Sequence, residues 1–180
     1  VGPKPRSLSF AAAAALPLTG ITSWEILLDR LQVPLRKGAA ASLSQYVPDT
    51  DWESRETDAA GEESILVVGA GGGVGSVLLQ LLRQLTPLRV VATASRPETR
   101  DWVRQCGAHV VIDHSRPLDR ELQDAGIAGV SHAVSLNETD RHFDAIVAAL
   151  CPQGKLALID DPAQALDVRL MKQKSLSLHW

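Results

Sequence analysis

Ile65-Leu66-Val67-Val68-Gly69-Ala70-Gly71-Gly72-Gly73-Val74-Gly75 joins a short β-rich apolar run to a turn almost without side chains. Directly after it, Val77, Leu78, Leu81 and Leu82 recur at helical spacing. The first amides of a helix have no partner within it, so a strand, a bare turn and a helix in that order offer an anion a set of free N–H donors. Side chains in the turn would hold the anion off. The group that suits such a turn is the diphosphate of a dinucleotide, with Ala70, Gly71, Gly72, Gly73, Val74 and Gly75 as its candidate contacts. These six fit the G-x-G-x-x-G register with Ala70 in place of the first glycine, and Gly69, Gly72 and Gly75 also give G-x-x-G-x-x-G. A glycine-rich turn can equally serve packing alone. Its place at the head of a strand–helix series favours nucleotide binding. No Gly-Lys-Ser/Thr follows the glycines, so the phosphate lysine and magnesium hydroxyl of an ATP- or GTP-hydrolysing loop are missing.

The second diagnostic lies about 20 residues on, where an acidic residue ending the next strand would hold the adenosine ribose of NAD. The chain reads Ala92-Thr93-Ala94-Ser95-Arg96 there, with no carboxylate. A hydroxyl followed by a guanidinium suits a 2'-phosphate instead, because arginine supplies a charge-assisted fork of donors. The expected cofactor is therefore NADP(H), held by Ser95 and Arg96. The plainer alternatives are that Ser95 only caps the helix begun by Pro97 and that Arg96 is an ordinary surface arginine.

Outward from this motif the pattern alternates. Strands are predicted at 65–68, 89–93, 109–113, 130–135, 155–159 and 175–179, with helices at 74–85, 97–106, 118–124 and 138–150 and an irregular link over 160–174. Such alternation implies right-handed βαβ units and an α/β, doubly wound, six-stranded parallel sheet with helices on both faces, over residues 64–180. Residues 1–35 read as N-terminal helices packing on that domain. One runs from Phe10 to a stop at Pro17. A second starts from a capping box at Thr22-Ser23-Trp24-Glu25 and buries Trp24, Leu27, Leu28 and Leu31. Residues 36–63 lose all periodicity and concentrate acids, and are expected to be a solvated, irregular insertion.

The composition narrows the functional classes. Of 180 residues, 45% are hydrophobic and the formal net charge is −3, which gives no electrostatic reason to expect nucleic acid or anionic lipid as partner. The run after Lys4 and Arg6 is too short for a membrane span, which takes roughly 20 apolar residues, and Pro17 interrupts it, so no membrane partner is expected. Cys106 and Cys151 stand outside any C-x-x-C spacing, which fits a cytoplasmic setting. His109, His114, His132, His142 and His179 form no ligand constellation with them, so no metal is expected.

With these residues placed, the sequence resembles the medium-chain dehydrogenase/reductase superfamily, in its quinone-oxidoreductase-like branch labelled zinc-type alcohol dehydrogenase-like. The resemblance rests on Leu16-Pro17-Leu18-Thr19-Gly20-Ile21-Thr22-Ser23-Trp24-Glu25, the glycine turn, Thr93-Ala94-Ser95-Arg96-Pro97-Glu98, Gly107-Ala108-His109-Val110-Val111-Ile112-Asp113-His114 and Ala157-Leu158-Ile159-Asp160-Asp161-Pro162. It implies a Rossmann domain and hydride transfer from NADPH to a quinone, enone or carbonyl compound, a small-molecule substrate. It also implies a GroES-like catalytic domain that is absent from this chain, with Val1 standing inside a longer protein. By the same resemblance Thr22 approaches the nicotinamide end and His114 the adenosine phosphate. Ser135, Leu136 and Asn137, at the carboxyl end of the fourth strand, fall where ribose contacts are expected. The terminal strand, with Leu176 and Leu178 alternating with polar residues, implies a homodimer through that edge. A non-catalytic nucleotide-binding sensor or assembly module is the competing reading.

Overall fold

The computed structural model describes residues 4–48, 50–58 and 63–180. In chain order the elements are α1 (Phe10–Ala14), α2 (Leu16–Trp24), β1 (Leu35–Arg36), α3 (Ala39–Ser44), β2 (Glu56–Thr57), β3 (Ser64–Val68), α4 (Gly73–Leu85), β4 (Arg89–Thr93), α5 (Pro97–Gln105), β5 (Val110–Ile112), α6 (Leu118–Asp124), β6 (Val130–Ser135), α7 (Thr139–Ala149), β7 (Leu150–Leu158) and β8 (Ser177–His179). Six strands form one parallel sheet in the order β5-β4-β3-β6-β7-β8. The first strand of the series, β3, lies between the second and the fourth, so the strand order reverses beside it and leaves a crevice at the carboxyl ends of β3 and β6.

Alternation along each strand sends residues to both faces, and both are covered. Ile65 and Val67 of β3, with Val90 and Ala92 of β4, pack against Leu78, Leu79 and Leu82 of α4 and against the N-terminal segment. Leu66, Val68 and Val91 face the other way, onto Leu118 and Leu122 of α6 and Phe143, Ile146 and Val147 of α7. Each such side chain, fully buried, stabilises the fold by about 1.5–3 kcal/mol before entropy is counted.

The N-terminal and acidic segments differ from expectation. Pro17 does not end a helix: the break falls at Ala15, and Pro17 sits in the first turn of α2, where its missing N–H costs nothing. No capping box forms at Thr22. The Thr22 hydroxyl donates to Leu18 O inside α2, and Glu25 takes Arg30 Nη2 at 2.5 Å across a wider π turn spanning Glu25–Arg30. That turn buries Ile26, Leu27 and Leu28, with Leu31 just beyond it.

The described part of 36–63 is ordered instead of irregular, while its acids Asp51, Glu53 and Asp58 stay exposed to solvent as expected. Trp52 is 2% exposed, meets Trp24 edge to face, and carries the Arg55 guanidinium 5.1 Å over its ring. Arg55 donates to Leu28 O and Val33 O and Lys155 to Leu31 O, so distant cations satisfy carbonyls at the end of the π turn. β1 and β2 pair in parallel close by. Acids 49 and 62 lie outside the described residues. In the main sheet, β7 starts five residues earlier than expected because Leu150 pairs with Val130 across an irregularity before Lys155 meets His132. The 160–174 link ends in a 3₁₀ turn, Val168–Lys174, and among the described residues no helix is long and apolar enough to cross a membrane.

His132 on β6 is 7% exposed, and burial pushes its imidazole down to about 4 despite the Glu63 carboxylate 3.9 Å away. An unfolded histidine titrates near 6.5, so between pH 6.5 and about 4 the unfolded chain binds the extra proton. Stability is therefore full above that window and is lost as pH falls through it, by about 3 kcal/mol in all. Urea midpoints followed from neutral pH downward should show this slope, and His132→Gln should flatten it.

Candidate functional site

Where β3 passes into α4, the chain makes a turn that only small residues can make. Gly69 has φ +77°, and a Cβ there would stand 1.9 Å from Asn137 Oδ1. A Cβ at Gly71 would meet Thr99 Cγ2 at 2.3 Å, and one at Gly75 would meet the Ala70 carbonyl oxygen at 2.2 Å. Gly72 has open space before it. The Gly69 N–H donates to Thr93 Oγ1 at 3.0 Å, which ties the turn to the end of β4. From behind, α2 braces the start of α4: Ser23 Oγ lies 3.1 Å from Val74 O, and Thr19 Cγ2 lies 3.1 Å from where a Gly73 Cβ would be.

A cleft of about 340 Å³ opens in front of this turn, lined on one side by Gly69, Gly71 and Gly72 and on the other by Ser95, Arg96 and His114, with Asn137 at its rim. Larger cavities exist, about 540 Å³ against Phe10 and Ile21 and about 450 Å³ against Arg55 and His132. The smaller cleft is the one at the sheet's switch point and at the amino ends of two helices, α4 and α5, whose dipoles favour an anion. No Asp or Glu lines it. Arg96 is exposed at the cap position of α5, and its guanidinium has no hydrogen bond or ion pair among the described residues. Ser95 is exposed and gives no cap to α5, so its hydroxyl is free of the role that the plainer reading assigned it.

The bend that carries His114 is held from several sides. Ser115 N and Oγ both donate to Asp113 Oδ1, at 2.9 and 2.7 Å, and those bonds hold the Asp113 carboxyl below its usual range. Arg100 clamps Ala94 O and Val111 O from below. His114 sits inside this bend with its ring edge-on to His142, 5.9 Å between centroids, and its Nδ1 is buried without a partner. Burial, then Arg141 and His114, push His142 down, so the ring behind His114 is neutral near pH 7.

Of the residues named from sequence, Gly71, Gly72, Ser95, Arg96, His114 and Asn137 come together in the cleft. Ala70 is buried beneath the turn, and Gly73, Val74 and Gly75 form the first turn of α4 behind it. Thr22 stays on α2 with its hydroxyl bonded internally. Ser135 is fully buried, its Oγ 2.7 Å from Thr139 Oγ1, which in turn donates to Asp160. Leu136 is half-buried, its N–H on Val68 O. Sequence reasoning did not name Thr93, Ala94 or Thr99 as contacts and read Gly69 only as a glycine of the turn, yet all four line the cleft; it also missed Thr19, which braces Gly73 from behind. Thr93 was visible as the last residue of β4 and Ala94 as the residue after it. Nothing in the local pattern marked Thr19 or Thr99. Among the described residues no group of three or more His, Cys, Asp or Glu could hold a metal ion.

The zinc-binding dehydrogenase family profile matches residues 73–178. A zinc-type alcohol dehydrogenase-like protein of Staphylococcus epidermidis is 30% identical over 177 residues, covering 98% of this chain and 46% of the relative. The crystal structure of a putative zinc-dependent alcohol dehydrogenase of Rhizobium etli superposes with TM-score 0.81 at 44% identity, over 99% of this chain and 46% of that one. That of an alcohol dehydrogenase superfamily protein of Novosphingobium aromaticivorans gives 0.69 at 28%, over 97% and 44%. The chain thus spans about half the length of the relatives it matches.

The two glycines differ in a testable way. Gly75→Ala forces the Ala70 backbone to move and should cost about 1–3 kcal/mol. Gly72→Ala, with φ −84° and open space, should cost less than about 1 kcal/mol. Urea unfolding of the two variants checks the order; equal tolerance would contradict the close approach.

Proposed function

This chain belongs to the zinc-binding dehydrogenase family of medium-chain oxidoreductases, and from that premise we propose that it is the cofactor half of an enzyme passing hydride from NADPH to a quinone, enone or carbonyl compound. The observation that carries the choice of NADPH is the unpaired Arg96 guanidinium beside Ser95, in a cleft without a carboxylate. A ribose 2'-hydroxyl would call for an acceptor at the end of β4, whereas a 2'-phosphate calls for donors. The lining has the Arg96 guanidinium and no Asp or Glu.

The described residues fit the dinucleotide. The side-chain-poor turn is the cradle for the diphosphate, with the amides at the start of α4 as donors. Arg96 forks onto the 2'-phosphate and Ser95 donates its hydroxyl. His114, whose buried Nδ1 lacks a protein partner, completes that pocket, and Asn137 closes over the turn from the β6 side. Ser135 and Leu136 support the β6 side of the cleft through Thr139 and Val68 O, while Thr22 stays bonded within α2. When bound, the nicotinamide supplies the hydride, and the protein orients it. The described residues offer no set of metal ligands.

Substrate contacts come from a second, catalytic domain. Phe10, Leu18 and Ile21, 82%, 79% and 66% exposed on α1 and α2, form an apolar face suited to meet it. β8 pairs only with β7 and ends the sheet, so its outer edge is the surface for a homodimer. Sedimentation should give a species of twice the chain mass; a strict monomer at every accessible concentration removes the dimer.

Calorimetry with NADPH and NADH tests the cofactor. Arg96→Ala should weaken NADPH roughly 10- to 100-fold, the worth of a lost charge-assisted bond, and leave NADH unchanged. Equal, unselective binding by the unaltered chain would overturn the 2'-phosphate assignment.

A further inference from the structure

The amino ends of the strands, opposite the cleft, gather arginines around one histidine. Arg83 in the last turn of α4, Arg89 at the start of β4 and Arg36 in β1 all bear electrostatically on His109, just before β5. Among the described residues none of the three arginines is paired with a carboxylate. Arg36 spends Nη2 on the α4 terminal carbonyls, Arg83 O at 3.2 Å and Thr86 O at 3.1 Å. Arg89 reaches only Ala125 O, at 3.5 Å. Arg83 packs its stem over Gly107, where a Cβ would stand 2.8 Å from Arg83 Cβ, and turns Nη1 onto His109 Nε2.

That last contact lacks an acceptor. His109 Nδ1 already accepts the Val90 N–H at 2.9 Å. Partial desolvation of the ring, followed by Arg83, Arg89 and Arg36, pushes His109 below its usual range, so near neutral pH the ring carries one proton. With Nδ1 accepting, that proton is on Nε2. The Nε2–H and the Arg83 guanidinium are then two donors face to face. An oxyanion entering beside them accepts from both and offsets the charge of Arg83 and Arg89. Because the donors come from different directions, an anion with acceptors on all sides serves them better than a planar carboxylate, which matches a single guanidinium edge. Arg83 and His109 are both exposed, so such an ion reaches them from solvent.

We propose that Arg83, Arg89 and His109 form a binding site for a phosphate group, at the end of the sheet opposite the cofactor cleft. Free phosphate and a phosphate monoester share the chemistry that the site recognises.

The test titrates inorganic phosphate, and separately glycerol phosphate, into the full chain at constant ionic strength balanced with chloride, following the His109 ring nitrogens by NMR. A saturable shift with a dissociation constant of about 1 mM or tighter is expected for a charge-assisted surface site. It should persist in Arg96→Ala, which weakens the cofactor cleft, and weaken at least about tenfold in both Arg83→Gln and Arg89→Gln. Response to inorganic phosphate alone marks a site for the free ion, and response to both a site that takes an ester; each upholds the proposal. No saturable shift, an affinity indifferent to Arg83→Gln, loss of the shift in Arg96→Ala, or acetate binding as tightly as phosphate would overturn it.

Discussion

Between β3 and α4 the backbone closes on itself so tightly that a methyl at position 75 would stand 2.2 Å from the Ala70 carbonyl oxygen. That approach lets α4 begin immediately after the strand, with its unpaired amides at the sheet's carboxyl edge. Everything at the cleft is arranged about this bend. Thr93 takes the Gly69 N–H, Thr99 and Asn137 fill the spaces that the glycines leave, and Thr19 and Ser23 press on α4 from behind. A second polar chain, from buried Ser135 through Thr139 to Asp160, fixes the start of α7, whose cap residue Glu138 is left-handed and gives no side-chain cap. Asn137 is thereby held over the turn.

How much of this the sequence disclosed follows from the range of the interactions. β3, α4, β4, α6 and β6 were legible nearly to the residue because their hydrophobic periodicity is strong and local. The cleft was legible where its chemistry is local too: a glycine turn, and a serine and arginine at the end of a strand. What escaped depends on distant partners. The π turn is closed by Arg55 and Lys155, 27 and 124 residues from the carbonyls they serve. Trp52 looked like part of an acidic loop because nothing nearby revealed Trp24 or Arg55 as its neighbours. Pro17 reads as a helix stop as readily as a first-turn residue, and only the break at Ala15 decides between them. Ser135 illustrates the opposite error. Its place at a strand's carboxyl end suggested a ligand contact, yet the pleat turns its hydroxyl inward to Thr139.

The two ends of the sheet divide the electrostatic labour. At the carboxyl end, helix dipoles and Arg96 make a site for a phosphorylated ligand with no carboxylate in its lining. At the amino end, cations mostly serve as caps for carbonyls that helices leave unpaired, as Arg36 and Arg55 do. Arg83 is the exception there, since it turns to the His109 ring. Cys106 is buried and Cys151 exposed, and neither belongs to a group of three or more His, Cys, Asp or Glu among the described residues.

The central claim is that the amides following the bend receive a diphosphate. Backbone amide NMR of the chain titrated with NADPH tests it most directly. The account predicts that the largest downfield shifts fall on Gly72, Gly73, Val74 and Gly75, as their N–H groups acquire charged acceptors. Saturable binding that leaves those four resonances in place and moves others would contradict it.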